Sequence, residues 1–129
     1  MASAIYPKFK ETILQGGVNM SSSTIKVAMV TSAYTYSATH QFYSSVTGVV
    51  GTPATLGNKT FTNGVFNADD VTFTNVAQGS TVNAIVIYED SGSAATSDLI
   101  VYIDGLNILT NGGNITLQFQ DIAPFIFTL

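Results

Sequence analysis

The sequence contains no cysteine, no tryptophan and no arginine, and charged residues make up only 9% of its 129 positions. Without cysteine the chain cannot form disulfides, thiolate zinc sites, iron–sulfur clusters or a cysteine nucleophile. Eight acidic residues outnumber four lysines, so the formal charge is −4 and too few cations remain to neutralise a run of phosphates. We therefore expect no nucleic-acid partner.

Long apolar runs are also missing from the sequence. No segment approaches the roughly 20 uninterrupted apolar residues of a membrane helix. The first 15 residues carry Lys8, Lys10 and Glu11 where a secretory signal peptide needs an apolar stretch. The sequence therefore predicts a protein that has no membrane contact and is not exported through the secretory pathway.

The length and the 46% hydrophobic composition allow one domain with a substantial core. Area scaling leaves roughly 6,600 Å² exposed out of roughly 20,000 Å² in the unfolded chain, so about two thirds of the surface is buried. The sequence contains no linker, internal repeat or low-complexity tract. We expect a single domain over residues 1–129.

One helix is expected near the N-terminus, over residues 4–15. Ile5, Phe9 and Ile13 recur at every fourth position and would form one apolar face. Pro7 fits the first helical turn, where its missing N–H is not needed, and a glycine pair follows the last turn. Because an isolated helix of about three turns is marginal in water, this face must be buried against the sheet or a neighbour.

After the helix the apolar period falls to two, which predicts β-strands. In the first strand, Ile25, Val27 and Met29 fall on one face, with Lys26 and Ala28 on the other, as in a half-buried strand. Runs of this kind cover residues 23–31, 61–66, 71–76, 82–88, 99–104, 115–120 and 125–129, with a weaker one at 49–56.

Turn-forming residues separate these runs. They include Asn63-Gly64, Ser91-Gly92, Asp104-Gly105 and the Asn-Gly-Gly-Asn sequence at 111–114, which suits a hairpin. Closely spaced strands without intervening helices are typical of antiparallel all-β folds. The sequence therefore predicts a mainly β fold, an antiparallel β-sandwich or jelly roll of about seven or eight strands with a short N-terminal α-helix.

Two stretches depart from the strand pattern. Residues 89–98 form a polar loop, and residues 32–45 form a long aromatic excursion that is expected to hold one helical turn after Thr39. Such aromatics either plug the open end of a sandwich or anchor an interface, and both roles stay open. The predicted partner or subunit interface takes four residues from the excursion and two from the helix: Tyr34, Tyr36, Phe42, Tyr43, Ile5 and Phe9.

The sequence gives little support to catalysis. His40 is the only histidine, and its neighbours Thr39 and Gln41 supply no recognisable acid or nucleophile. There is no Gly-x-Ser-x-Gly elbow and no P-loop for phosphates. We expect no catalytic residue and no cofactor, and a small hydrolase that uses His40 is the alternative.

The candidate metal-binding residues lie in two acidic stretches, Asp69-Asp70 and Glu89-Asp90 with Asp98. Neither has the alternating ligands and glycine of an EF-hand loop. Acids that accept turn N–H groups explain both stretches better, so no metal site is predicted. Calcium held by residues 89–98 is the alternative.

Several motifs follow one another in a particular order along the chain: IYPKFKE (5–11), LQGGVN (14–19), TIKVAMV (24–30), GVFNADDVTF (64–73), AIVIY (84–88), LIVYID (99–104), NGGNIT (111–116) and IFTL (126–129). This order resembles a family of small virion structural proteins of tailed bacteriophages and covers nearly the whole chain. The family commonly has an acid where Asn67 stands and a basic residue where Thr128 stands, so an ion pair there is not expected.

The resemblance implies a non-enzymatic head decoration or cement protein of the virion, assembled in the host cytoplasm. Its implied partners are the major capsid protein or another virion protein, and further copies of itself. A trimer is the first expectation, because capsid lattices offer local three-fold positions. The alternatives are a tail or neck component, another self-assembling structural protein, and a carbohydrate-binding sandwich module that uses Tyr34 or Tyr36 as its sugar platform.

Overall fold

The computed structural model describes residues 4–118 and 127–128. Strands dominate these residues and confirm the expected mainly β fold. The elements are β1 Ala4–Ile5, α1 Pro7–Leu14, β2 Ile25–Val30, β3 Val49–Thr55, β4 Val65–Phe66, β5 Val71–Phe73, β6 Thr81–Glu89, β7 Leu99–Leu109, β8 Ile115–Leu117 and β9 Phe127–Thr128. Single 3-10 turns lie at Tyr43–Ser45, as expected after Thr39, and at Thr62–Gly64, where the sequence predicts strand.

The strands form one large and two small antiparallel sheets. The main sheet has the order β1-β7-β6-β2-β3, and β4-β9 and β5-β8 form two-stranded sheets. Buried Phe66, Phe73 and Leu117 of the small sheets belong to the same hydrophobic core cluster as the side chains of β2, β6 and β7. The small sheets therefore close one side of an antiparallel sandwich. The remainder of the strands predicted at 115–120 and 125–129 falls outside the described residues.

The central strands are buried on both faces, which corrects the half-buried strand predicted for β2. Ala28 and Val30 are as completely buried as Val27 and Met29. Since side chains alternate along a strand, the register defines two opposite rows: Ala28, Val86 and Tyr102, and Val27, Ile87 and Val101. Aromatic side chains of the excursion pack against Tyr102 and thereby cover the first of these faces.

The helix begins later than the sequence predicts. Ala4 and Ile5 are in β1 and pair with Tyr102 and Val101. The reason is local, because a residue before proline avoids helical dihedrals, and Tyr6 is extended with φ −63° and ψ 128° ahead of Pro7. The helix therefore has about two turns in place of three.

Two predicted turns also have another role. Asp104-Gly105 lies inside β7, where residues 105–107 bulge opposite Asn83 and Gly105 takes a φ of 88°. The 111–114 turn makes no hairpin, because β7 pairs with β6 whereas β8 pairs with β5. That turn carries the chain from the main sheet to a small one, and its Gly112 N–H donates to the Val76 carbonyl at 2.8 Å.

Candidate functional site

The six residues predicted for an interface are buried to different degrees. Phe9 is 1% and Tyr34 is 4% exposed, so both are core residues with almost no surface left for a partner. The other four are partly buried: Ile5, Tyr36, Phe42 and Tyr43. The plugging role that the sequence left open therefore applies to Tyr34, and a direct interface contact stays a prediction for the four partly buried residues.

A hydrogen-bonded chain joins the N-terminal segment to the aromatic excursion. The Tyr6 and Tyr34 hydroxyls are 2.6 Å apart, and the Tyr34 hydroxyl lies 2.8 Å from His40 Nδ1. Burial, reinforced by the bond to Tyr34, raises the pKa of Tyr6 far above its ordinary value. Burial also raises the pKa of Tyr34, so both phenols keep their protons at neutral pH.

The same tyrosines pack into one aromatic cluster. The ring of Tyr36 has its centroid 5.0 Å from that of Tyr6 and 5.4 Å from that of Tyr102. Tyr34 meets Tyr102 edge to face at 5.9 Å. Ring pairs at these separations add favourable contacts beyond area burial. The cluster therefore ties β1, the excursion and β7 together.

The cluster also bears on the alternative in which Tyr34 or Tyr36 forms a sugar platform. A sugar platform needs an exposed ring, whereas Tyr34 is buried and Tyr36 is partly buried and contacts the rings of Tyr6 and Tyr102. The Tyr34 phenol, whose pKa is raised by burial, also holds one side of the His40 imidazole through Nδ1.

The second half of the excursion is fastened to the loop between β6 and β7. Tyr43 N–H donates to the Ser97 carbonyl at 2.8 Å, and Leu99 N–H donates to the Gln41 carbonyl at 2.9 Å. The Tyr43 ring stacks on Tyr88 with centroids 4.0 Å apart and planes inclined by 14°. Burial is also the main reason that the pKa of Tyr88 is raised.

Asp69 and Asp90, one from each acidic stretch, are engaged in local structure. Asn58 Nδ2 donates to Asp69 Oδ2 at 2.5 Å. Asp90 accepts the Gly92 N–H at 3.1 Å and pairs with Lys26 Nζ at 3.1 Å, and these contacts lower the pKa of Asp90 in that order. Among the described residues, no three acidic or histidine side chains are grouped so that they could hold a metal ion.

Lys59 has a structural position that the sequence did not reveal. Its ammonium group donates to the Met20 carbonyl at 2.7 Å and to the Ser23 carbonyl at 2.5 Å. These acceptors lie more than 30 residues earlier in the chain, so no local pattern around Lys59 indicates them. The contact fastens the connection between β3 and β4 to the turn before β2.

The exposed apolar side chains lie mostly outside the predicted interface. Leu14 is 85% exposed, Leu109 75%, Phe61 38% and Val49 37%. Phe61 also lines an open cavity of about 520 Å³ between the end of α1 and β4, with Ile13, Val18 and Phe66 among its apolar walls. Such side chains can contact another protein without any change in the fold.

Both edges of the main sheet are interrupted: one edge is β3, and the other is the short β1 with the part of β7 that extends beyond it. In β3, the register shift next to Gly51, with a φ of 71°, and Pro53 disturb the ladder. At the other edge, the described residues of β1 pair with Val101 and Tyr102 of β7, and the bulge at Gly105 follows in β7. Bulges and prolines at edges discourage the addition of a foreign strand. Contacts through side chains are therefore favoured over strand addition.

Comparison with protein-family models, with curated proteins and with solved structures found no match. No helix in the described part of the chain is long and apolar enough to cross a membrane.

Proposed function

We propose that this chain is a non-enzymatic structural protein of a tailed-phage virion that decorates the head lattice and cements it. The main support is that the motifs that resemble small virion proteins correspond to the framework of the fold. Residues 24–30 contain β2, residues 84–88 lie in β6, and residues 99–104 begin β7. These are the central strands of the main sheet. The motifs that resemble small virion proteins therefore lie in the part of the chain that forms a rigid scaffold.

Such a protein would act by mass action. A ligand that binds only the assembled lattice stabilises it in proportion to the logarithm of its concentration over its Kd. Many copies that each bind weakly then resist disruption together. A rigid sandwich suits this role because little conformational freedom is lost when it docks.

Docking is expected to depend on apolar and aromatic contacts, since only 9% of the residues are charged. Replacing partly buried Phe42 with alanine should weaken retention on the particle by about 2 kcal/mol or more, which is roughly 30-fold in affinity. Lys10→Ala and added salt should change retention little. Cosedimentation of purified chain with particles that lack it gives the comparison, restricted to variants whose melting matches the wild type.

The competing account has Lys8 and Lys10 of α1 dock on an acidic partner. Contacts of that kind weaken when salt shortens the Debye length below about 8 Å. Release of the wild type by salt, with Phe42→Ala still bound, would establish that account and contradict ours. Failure of the chain to bind any virion particle would overturn the proposed function itself.

The proposed role also includes self-association, with a trimer as the expected state. The low net charge keeps electrostatic repulsion between copies small. Exposed Leu14 and Leu109 offer apolar side chains for a contact between copies. Analytical ultracentrifugation of the full chain over a wide concentration range should detect the oligomer, and measurement of the stoichiometry on particles should agree. A chain that is monomeric in both states would refute this prediction.

A further inference from the structure

Two carboxyl groups face each other where β6 ends and β7 begins. Tyr88 pairs with Leu99, and the next residue, Glu89, donates its N–H to the Asp98 carbonyl at 2.8 Å. Residues opposite each other on antiparallel strands share one face, with Cβ atoms about 5 Å apart. The Glu89 and Asp98 side chains are therefore immediate neighbours, and like charges at such positions repel.

The aromatic excursion lies on the other side of Asp98. Phe42 and Asp98 form an antiparallel bridge, so the Phe42 side chain continues the row of Glu89 and Asp98 on the same face. Three backbone hydrogen bonds fasten this part of the excursion, from the N–H groups of Tyr43, Ser44 and Leu99. Asp98 thus stands between an acidic neighbour and an apolar ring.

In the described part of the chain, the turn before β2 and β2 itself also contribute groups next to the pair. From the turn before β2, Ser23 Oγ donates to Glu89 Oε2 at 2.5 Å, and the Ser23 carbonyl accepts from the Lys59 ammonium. From β2, Ile25 pairs with Glu89 and is apolar. Lys26 and Asp90 belong to neighbouring positions and pair with each other. The cations are therefore held by other partners, at Ser23 and at Asp90.

We propose that Glu89 and Asp98 form a latch that fastens residues 41–44 to the start of β7 more tightly in acid than at neutral pH. When Asp98 carries a proton it can donate to Glu89, which turns repulsion into a hydrogen bond. When both carboxylates are charged, they repel beneath the segment that holds Phe42. Burial first, and then the charge of Glu89, raise the pKa of Asp98, in agreement with this arrangement.

The sign of the pH dependence follows from that direction. Below the ordinary Asp pKa of 3.8, both the latched and the released state bind the proton and the latch has its full strength. As the pH rises through the raised pKa of Asp98 in the latched state, that state must lose a proton that it holds more tightly than the released state does. Latch strength is therefore lost as the pH rises.

Amide hydrogen exchange of the full chain, corrected for the intrinsic pH dependence of exchange, tests the latch. Protection of the Tyr43, Ser44 and Leu99 amides in the wild type should increase as the pH falls. Each unit by which the pKa of the two states differs changes the opening equilibrium about tenfold. Asp98→Asn should raise protection at neutral pH and abolish its pH dependence, since the amide donates to Glu89 without a charge.

Glu89→Gln provides a second route to the same result, because it removes the like charge and still accepts from Ser23. Asp90→Asn is the matched control and should keep the wild-type pH dependence at these three amides. Protection that does not vary with pH in the wild type, or that varies with pH as strongly in Asp98→Asn and Glu89→Gln as in the wild type, would overturn the latch. The measurement uses the free chain, so its outcome is independent of binding to a particle.

Discussion

Replacing Tyr6 with alanine is expected to lower the free energy of unfolding by about 3 to 5 kcal/mol, the usual cost of removing a fully buried aromatic ring. Tyr6 is 0% exposed and its ring packs against Tyr36. The substitution also removes the hydroxyl that lies 2.6 Å from the buried Tyr34 hydroxyl. Denaturant unfolding at one fixed pH measures the loss through the transition midpoint and slope.

Two controls separate the ring from the hydroxyl and from general effects of substitution. Tyr6→Phe keeps the ring and should cost only about 0.5 to 1.5 kcal/mol, the net value of one hydrogen bond. Leu14→Ala alters a side chain that is 85% exposed and should stay within about 0.5 kcal/mol of the wild type. If Tyr6→Ala proved as mild as Leu14→Ala, the tyrosine cluster would not be part of the cooperative core.

The fold class was predictable because strand periodicity is a local property of the sequence. The runs around Ile25, Val82 and Leu99 each became a strand of the main sheet. The start of the helix was also within reach of local rules, since Pro7 restricts Tyr6 to extended dihedrals. The apolar spacing of Ile5 and Phe9 suggested a longer helix, because spacing alone takes no account of the backbone restriction that proline places on the residue before it.

Strand pairing was less predictable, because a turn sequence does not specify which strands it joins. Asp104-Gly105 has the composition of a hairpin turn, yet β7 continues through it with a bulge. The bulge is tolerated because Gly105 adopts a positive φ without a Cβ clash. The turn at 111–114 has equally favourable residues but connects two sheets, since β8 pairs with β5 and β7 pairs with β6.

The candidate site was predictable only in part. The excursion was identified by its aromatic content, but the sequence could not show that Tyr34 points inward while Phe42 stays partly exposed. Tyr34 is buried because it packs against Tyr102 on the second face of the main sheet. An alternating pattern of apolar residues does not predict that this second face is covered. The pairing of Glu89 with Asp98 depends on the register of β6 with β7, which shifts between Ile87 and Tyr88.

Lys59→Met is expected to lower the free energy of unfolding by about 1.5 to 3 kcal/mol, although the residue resembles an ordinary surface lysine in the sequence. The methionine keeps an apolar stem of similar length and removes the ammonium group from the Met20 and Ser23 carbonyls. Both carbonyls would then lose a charged donor in a partly buried position. Because the acceptors are dipoles in direct contact, added salt should screen this contribution only weakly.

Lys8→Met is the matched control for charge. Lys8 Nζ lies 3.2 Å from Glu11 Oε2, but the two side chains are 44% and 59% exposed, so their pair contributes little. Its loss should cost at most about 0.5 kcal/mol and should shrink further in salt. Equal losses for the two lysine variants in denaturant unfolding would show that Lys59 does not hold the turn before β2. A larger loss for Lys59→Met that disappears in high salt would indicate an exposed ion pair in place of the carbonyl contacts.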